Sequence, residues 1–297
     1  MPLDPKRHYS RNPRAVVITS GSGTLWSLPD EPPVRSAAVP ASTVAALWEL
    51  LAVPIPGGTL AARLAADPDG LALEQLLERL LSETLVLHGA PDELPGSAAA
   101  PDVRRTARGN LPCRRLVMGV TGAVQAAFLA PAIQRLAHDF AAKIDVILTR
   151  SARRFITPHA LAALGAEVWQ DPFEPRDGLR VPHAHLAEVA ELVLVLPASA
   201  NAVFRLAHGS CSDLLSLVVA GTRAPVVLAP SMSAAMWNHP AVRRNVARLR
   251  DDGAFVIEPG PGRAVGSDAT CTVGGLGLGG DSAHLVGALV AVLELSR

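Results

Sequence analysis

The chain has 297 residues, 49% of them hydrophobic, with Lys+Arg 27 against Asp+Glu 27 and a formal net charge of zero. That length holds one large domain or a medium and a small one, and the charge balance argues against nucleic acid or an anionic membrane as the main partner. The opening MPLDPKRHYS lacks the apolar core of a signal peptide, no run approaches a membrane span, and Cys113, Cys211 and Cys271 make no CxxC pair, so a reduced, cytoplasmic protein is expected.

In chain order, Ala15 to Thr19 reads as a strand, SGSG as a turn and Thr24 to Leu28 as a second strand. Ser42 to Leu51 and Thr59 to Ala66 read as helices. Leu71, Leu73, Leu76, Leu77, Leu80 and Leu81 keep helical spacing through a third helix, and Thr84 to Leu87 returns as a strand. This order resembles a winged helix, in particular the peptide-binding modules of enzymes that modify ribosomally made peptides. The resemblance implies a leader peptide added as a strand to a sheet edge. An appendage for oligomerisation or stability is the equal alternative. Few lysines or arginines lie between Ala15 and Gly89, which sets DNA aside.

"GAPDELPGSAAAPDVRRTARGNLPCRR" is rich in Pro, Gly, Ala and charge and reads as a solvated linker. The expected organisation is therefore a winged-helix-like α+β unit over 1–90, a linker over 91–113 and an α/β domain over 114–297. A linker of this kind implies that the larger part folds without the first ninety residues.

After it, strand and helix alternate. Arg115 to Val120 is a strand followed by a helix through Ala137, and Ile144 to Thr149 is a strand with helix from Ala152 to Leu164. Leu192 to Leu196, Val226 to Leu228 and Phe255 to Glu258 are further strands, and His284 to Leu295 is a closing helix. Leu214, Leu215, Leu217, Val218 and Val219 continue the helix that follows Asn201, as core or as a subunit contact, and Cys211 inside that helix reads as buried. Such alternation predicts a doubly wound, Rossmann-like parallel sheet whose ligand lies beyond the carboxyl ends of the strands.

Four strand ends are unusual. "GVTGAVQAA" (Gly119 to Ala127) offers glycine for close approach and backbone N–H groups for an anion. "LTRSARRF" (Leu148 to Phe155) places Thr149 and Ser151 as helix caps or as partners of a phosphate or ring edge. "PASAN" puts Ser199 and Asn201 at the end of a buried strand, and "APSMSAAMWNHPAV" follows Leu228. From about Leu116 to Pro261 these segments, in this order, resemble the flavoprotein family of cysteine decarboxylases. Pro197 to Leu215 is most similar to the epidermin-type peptidyl-cysteine decarboxylases.

The resemblance implies bound FMN. Its site would comprise Gly119, Thr121, Gly122, Ala123, Thr149, Ser151, Phe155, Ser199, Asn201 and Met232, with phosphate near Gly122 and Ser151 and the ring near Ser199 and Asn201. It also implies a catalytic His183, fourteen positions before Pro197. An imidazole suits that role because it exchanges protons near neutrality. A metal shared by His183 and His185 lacks a third ligand nearby. In the implied reaction a C-terminal peptidyl cysteine is oxidised at the thiol, CO2 leaves from a carboxylate beta to C=S, and an enethiol remains.

The family segment Pro-x-Met-Asn-x-x-Met-Trp here reads Pro230-Ser231-Met232-Ser233-Ala234-Ala235-Met236-Trp237. The amide that would hold the substrate carboxylate is replaced by the Ser233 hydroxyl, on a shorter arm. Met236 stands beside it as a further site residue. The flanking prolines Pro230 and Pro240 argue against reading the methionines and tryptophan as core. Cys271 in "ATCTVGGLGLGG" loosely resembles the thiol that protonates an enethiol in phosphopantothenoylcysteine decarboxylases; an idle thiol in a covering loop is the favoured reading. Alternatives to the peptide enzyme are therefore a phosphopantothenoylcysteine decarboxylase and a non-catalytic flavin-binding subunit. The resemblance further implies a homotrimer or a multiple of trimers, with the ring-binding strand ends at one edge of the sheet.

Overall fold

The computed structural model describes residues 3–12, 15–21, 23–27, 34–36, 39–51, 54–67, 70–82, 86–89, 111–173, 179, 181–262, 272–274 and 282–296. Most of the expected linker, residues 91–110, and Cys271 lie outside the described residues.

The first part of the chain contributes to two sheets. Strand β1 (His8–Arg11) precedes β2 (Val16–Ser20), β3 (Gly23–Ser27) and β4 (Val34–Ser36). Helix α1 (Ala41–Leu50), β5 (Ile55–Pro56), α2 (Gly57–Ala65), α3 (Gly70–Ser82) and β6 (Val86–Gly89) follow. β5 and β6 flank β1 antiparallel in a small sheet. β2, β3 and β4 form an antiparallel meander elsewhere. The sequence reading lacked β1, β4 and β5, whose two to four residues show no apolar alternation.

The remainder runs β7 (Cys113–Val120), α4 (Ala130–Asp139), β8 (Ala141–Leu148), α5 (Pro158–Ala163), β9 (Glu167–Trp169), α6 (Pro182–Val189) and β10 (Leu192–Ala198). It continues through α7 (Ala200–Ala207), α8 (Leu214–Gly221), β11 (Val226–Ser233), α9 (Ala234–Trp237), α10 (Pro240–Asp251) and β12 (Phe255–Ile257). It closes with β13 (Gly260–Gly262), β14 (Thr272–Gly274) and α11 (Ser282–Ser296). The main sheet has the order β4-β3-β2-β12-β11-β10-β7-β8-β9. From β12 to β9 every pairing is parallel, as the alternation of strands and helices predicts.

Strand alternation divides the side chains between two layers. Leu116, Met118 and Val120 of β7 and Leu192, Leu194 and Leu196 of β10 enter one core together with α4 and α11. Val117, Val193 and Val195 enter the other with α6, α7, α8 and α10. Asp145 of β8 is fully buried; its carboxylate accepts from Arg115 Nε at 2.6 Å and Trp169 Nε1 at 3.0 Å. The hydrogen bond to Asp145 raises the Arg115 pKa above its ordinary value against the opposing effect of burial.

The main sheet crosses the boundary expected from the sequence. β2 pairs antiparallel with β12, Val256 opposite Thr19 and Ile257 opposite Ile18. Ile18 and Leu25 pack into the core that holds α11. Val17 and Trp26, on the opposite face, pack with Leu47, Trp48 and Leu77 of α1 and α3. The hairpin is thus shared by two cores, and each buried Ile or Leu contributes about 1.5–3 kcal/mol. Gly21 sits where a Cβ would lie 2.7 Å from the Arg250 carbonyl, so only glycine lets this turn touch α10.

Two helix expectations change. The stretch from Ala152 to Leu164 breaks into a short 3-10 turn, Ala152–Arg154, and α5, because Pro158 starts a new helix and the Thr157 hydroxyl caps it by accepting from Ala160 N–H at 3.1 Å. The helix after Asn201 stops at Ala207, and α8 starts afresh under a reciprocal Asp213–Ser216 capping box. Cys211 lies in the intervening loop and is exposed rather than buried. Leu214, Leu215 and Val218 are core residues, so they offer no broad face to a second subunit.

Candidate active site

β7 is where the chain order of the sheet reverses. Its neighbours are β8, the next strand, and β10, reached only after the chain has returned from β9. Ligands of open parallel sheets seat at such a switch point. The expected strand ends therefore meet inside the sheet, not at its edge. Clefts lined by Leu111, Arg114 and Glu191, or by Ser216, Thr222 and Phe255, open at the opposite, amino ends.

Thr121 and Ser199 bridge the switch point. The buried Thr121 hydroxyl donates to the Pro197 carbonyl at 2.7 Å and accepts from the Ser199 N–H at 2.9 Å. Ser199 then caps α7, its hydroxyl accepting from Ala202 N–H at 3.4 Å, and Asn201 stands exposed in the first turn of that helix. The Thr121 side chain is thereby committed to holding two strand ends together. Thr149 repeats the device on the other side, its hydroxyl donating to the Val120 carbonyl at 2.9 Å.

The glycines of the first segment divide in role. At Gly122 a Cβ would lie 2.4 Å from the Ser151 Cβ, so the turns after β7 and β8 touch only because this residue has no side chain. Ser151 leads the 3-10 turn and makes no side-chain cap. At Gly119 a Cβ would instead lie 2.4 Å from Leu215 Cδ1, so this glycine makes room for α8. The Ala123 N–H is engaged with the Thr121 carbonyl at 2.9 Å. Phe155 is exposed just beyond the second turn, as is Phe128 beyond the first.

Two buried polar atoms at this end of the fold have no hydrogen-bond partner: Gln125 Oε1 and His183 Nδ1. His183 is the second residue of α6, a helix that runs back toward the start of β10, so its first turn stands at the carboxyl ends of the strands. An unmet buried polar atom costs about 1–3 kcal/mol, and a bound ligand is one way to complete its pairing. Gln125 was not singled out from the sequence. The signal was present, as the lone long polar side chain among the small and apolar residues of GVTGAVQAA.

The last segment splits. Ser233 ends β11 and caps α9, its hydroxyl accepting from Met236 N–H at 3.3 Å, while Met236 is exposed. Met232 and Trp237 are core residues, contrary to the reading from the flanking prolines. The Arg243 guanidinium lies 5.2 Å from the Trp237 ring centroid. A fully buried Trp237 is also unavailable to a neighbouring subunit.

The Flavoprotein family model matches residues 104–273. This chain belongs to the Flavoprotein family. It is 41% identical over 157 residues to the coenzyme A biosynthesis bifunctional protein CoaBC of Mycobacterium tuberculosis, covering 52% of this chain and 37% of that protein. Against CoaBC of Bacillus subtilis the identity is 37% over 150 residues, again 37% of the relative. The chain therefore spans well under half the length of these curated relatives. The solved structure of SpaF, described as an FMN-dependent cysteine decarboxylase, superposes with TM-score 0.51 at 28% identity, covering 62% of this chain and 97% of SpaF. A phosphopantothenoylcysteine decarboxylase mutant superposes with TM-score 0.52 at 21% identity over 61% of this chain and 98% of its own, a likeness of fold.

The residues present fit the flavin expected from the sequence, and FMN in particular agrees with the family and with SpaF. The Gly122–Ser151 contact offers a backbone N–H and a hydroxyl to a phosphate. Gln125 Oε1 is an acceptor without a donor, as a ribityl hydroxyl or ring N–H requires. No helix among the described residues is long and apolar enough to cross a membrane.

Proposed function

We propose that this protein is an FMN-dependent decarboxylase acting on the C-terminal cysteine of a ribosomally made peptide and releasing an enethiol. The observation that carries the chemistry is the buried, unpartnered Nδ1 of His183 at the strand ends that Thr121 and Ser199 join. Gly122, Ser151, Gln125, Ser199 and Asn201 would hold FMN, which would supply a two-electron acceptor. His183 removes a proton from the substrate as its thiol is oxidised. Ser233, which as a cap accepts from Met236 N–H, still has its own proton to donate to the substrate carboxylate. Met236 is the apolar contact beside it.

The peptide reading draws support from the resemblance of Pro197 to Leu215 and from the small sheet β5–β1–β6, where β5 and β6 each have one edge unpaired among the described residues. A leader peptide would extend that sheet as an added strand. The second reading, a phosphopantothenoylcysteine decarboxylase, draws support from the 41% identity to CoaBC. A threefold assembly, implied by the family resemblance, suits either reading, with exposed Phe128 and Phe155 as contact residues. Light scattering at a mass other than three chains or a multiple would remove it.

Mass spectrometry of the FMN-loaded protein with a synthetic Cys-terminated peptide is the deciding test. Loss of CO2 together with two hydrogens is expected. Loss of CO2 alone from phosphopantothenoylcysteine, with the peptide unchanged, would replace this reading by the second. No turnover of either would leave a flavin-binding subunit.

A further inference from the structure

A buried cluster outside the flavin segments connects the N-terminal hairpin to the substrate side of the site. Glu258 is the first residue after β12. Its N–H donates to the Val17 carbonyl at 2.8 Å, and its carboxylate accepts from the Thr19 hydroxyl at 2.7 Å. Arg250 completes the cluster: its Nε donates to Thr19 Oγ1 at 2.6 Å and its terminal nitrogen pairs with Glu258. All three residues are buried. Each side chain touches the other two, so the cluster fixes where the chain leaves β12.

What leaves there is short and directly connected. After Pro259 the chain forms β13, which pairs antiparallel with β14, Gly260 opposite Gly274 and Gly262 opposite Thr272. β14 pairs in turn with the end of β11, Ser231 opposite Gly274 and Ser233 opposite Thr272. Two ladders joined by the chain at Glu258–Pro259 thus connect Thr19 on β2 to Ser233, the residue that caps α9.

We infer that Glu258, held by Thr19 and Arg250, is a positioning residue that sets the backbone of Ser231–Ser233 through β13 and β14. The N-terminal hairpin then helps to shape the substrate side of the site without touching substrate. The functional consequence rests on Ser233 and Met236 facing substrate; the coupling itself does not.

Hydrogen exchange of the full-length, FMN-loaded protein tests it. In Glu258→Gln and in the milder Thr19→Val, amide exchange in peptides spanning 231–233 and 272–274 should rise at least ~10-fold, with β7 as internal reference unchanged. Thr19→Ser, which keeps the hydroxyl, should restore the wild-type rates. Unchanged rates at 231–233 and 272–274 in Thr19→Val would overturn the inference. So would an equal rise in β7, which is a global loss of stability, or a failure of Thr19→Ser to restore. Wild-type protein that binds no FMN would sink the proposed function, and the same exchange comparisons on the unloaded protein would still decide this inference.

Discussion

At the junction of β2, α10 and β12, Thr19, Arg250 and Glu258 bury their polar groups and pair them with one another. At the carboxyl ends of β7, β8 and β10, Thr121 and Thr149 are likewise engaged, but Gln125 Oε1 and His183 Nδ1 are buried with nothing to bind. Both regions sit in one sheet and place polar groups in a low-dielectric interior. The first is complete within the protein, and rigid pairing there stabilises a joint between chain segments. The second is incomplete among the described residues, and under the proposed function a flavin and a thiol substrate would supply the missing partners.

The joint breaks most severely when its donor segment is removed. Deleting residues 1–36 strips β2 from the edge of β12, withdraws Ile18 and Leu25 from the main core and leaves Arg250 and Glu258 without Thr19. The apolar loss alone, about 3–6 kcal/mol for these two side chains, reaches the low end of the whole stability of a typical domain, about 5–15 kcal/mol. The expected outcome is insoluble protein or no cooperative thermal transition. A soluble fragment beginning at residue 111 that binds FMN would show that the joint is dispensable.

Single substitutions should pull the two regions apart. Arg250→Met leaves the buried Glu258 carboxylate unpaired by charge and should cost about 3–5 kcal/mol in denaturant unfolding, without altering the flavin spectrum of the folded fraction. His183→Asn should do the reverse, with stability and FMN affinity near wild type and turnover down about 10²–10⁴-fold. A large stability loss in His183→Asn would make it a joint residue too, and full activity would move the catalytic role, His185 being the first suspect.

Much of this contrast is legible in the sequence. The apolar runs of β7, β8, β10 and β11 announce a parallel sheet, and the small and polar residues after them announce its ligand end. The joint is not legible. Thr19, Arg250 and Glu258 are separated by up to 239 residues, and nothing local marks a Thr in a strand, an Arg in a helix and a Glu after a strand as one cluster. The roles of Gly119 and Trp237 were hidden for the same reason, since only tertiary packing shows that Leu215 fills the space at one and that the core encloses the other. The broken helices were better marked, because Pro158 and Asp213 are ordinary helix starts.

A smaller effect sharpens the phosphate end of the seat. Gly122→Ala places a Cβ 2.4 Å from the Ser151 Cβ, so the turns after β7 and β8 must separate. The expected cost is about 1–3 kcal/mol, the range of an overpacked site, read chiefly as a fall in FMN affinity by fluorescence titration. Riboflavin, which lacks the phosphate, should lose less affinity than FMN. Equal losses for the two flavins would move the phosphate away from Gly122 and Ser151.

The smallest effect concerns an engaged carboxylate that belongs to neither region. Asp139, at the end of α4, is buried, which by itself would raise its pKa; hydrogen bonds from His138 and Arg135 outweigh that and hold it below the ordinary value. A carboxylate depressed in the folded state stabilises the protein above its unfolded pKa of about 3.9, and the increment disappears as pH falls through the lower, folded value. Asp139→Asn removes the charge but keeps the shape, so it should lose about 0.5 kcal/mol at neutral pH, the scale of an i,i+4 ion pair. Below about pH 4 the two proteins should converge in thermal stability as the wild-type carboxyl protonates. A difference that stays constant down to pH 2 would assign the loss to packing rather than to charge, because only the charged form distinguishes Asp from Asn there.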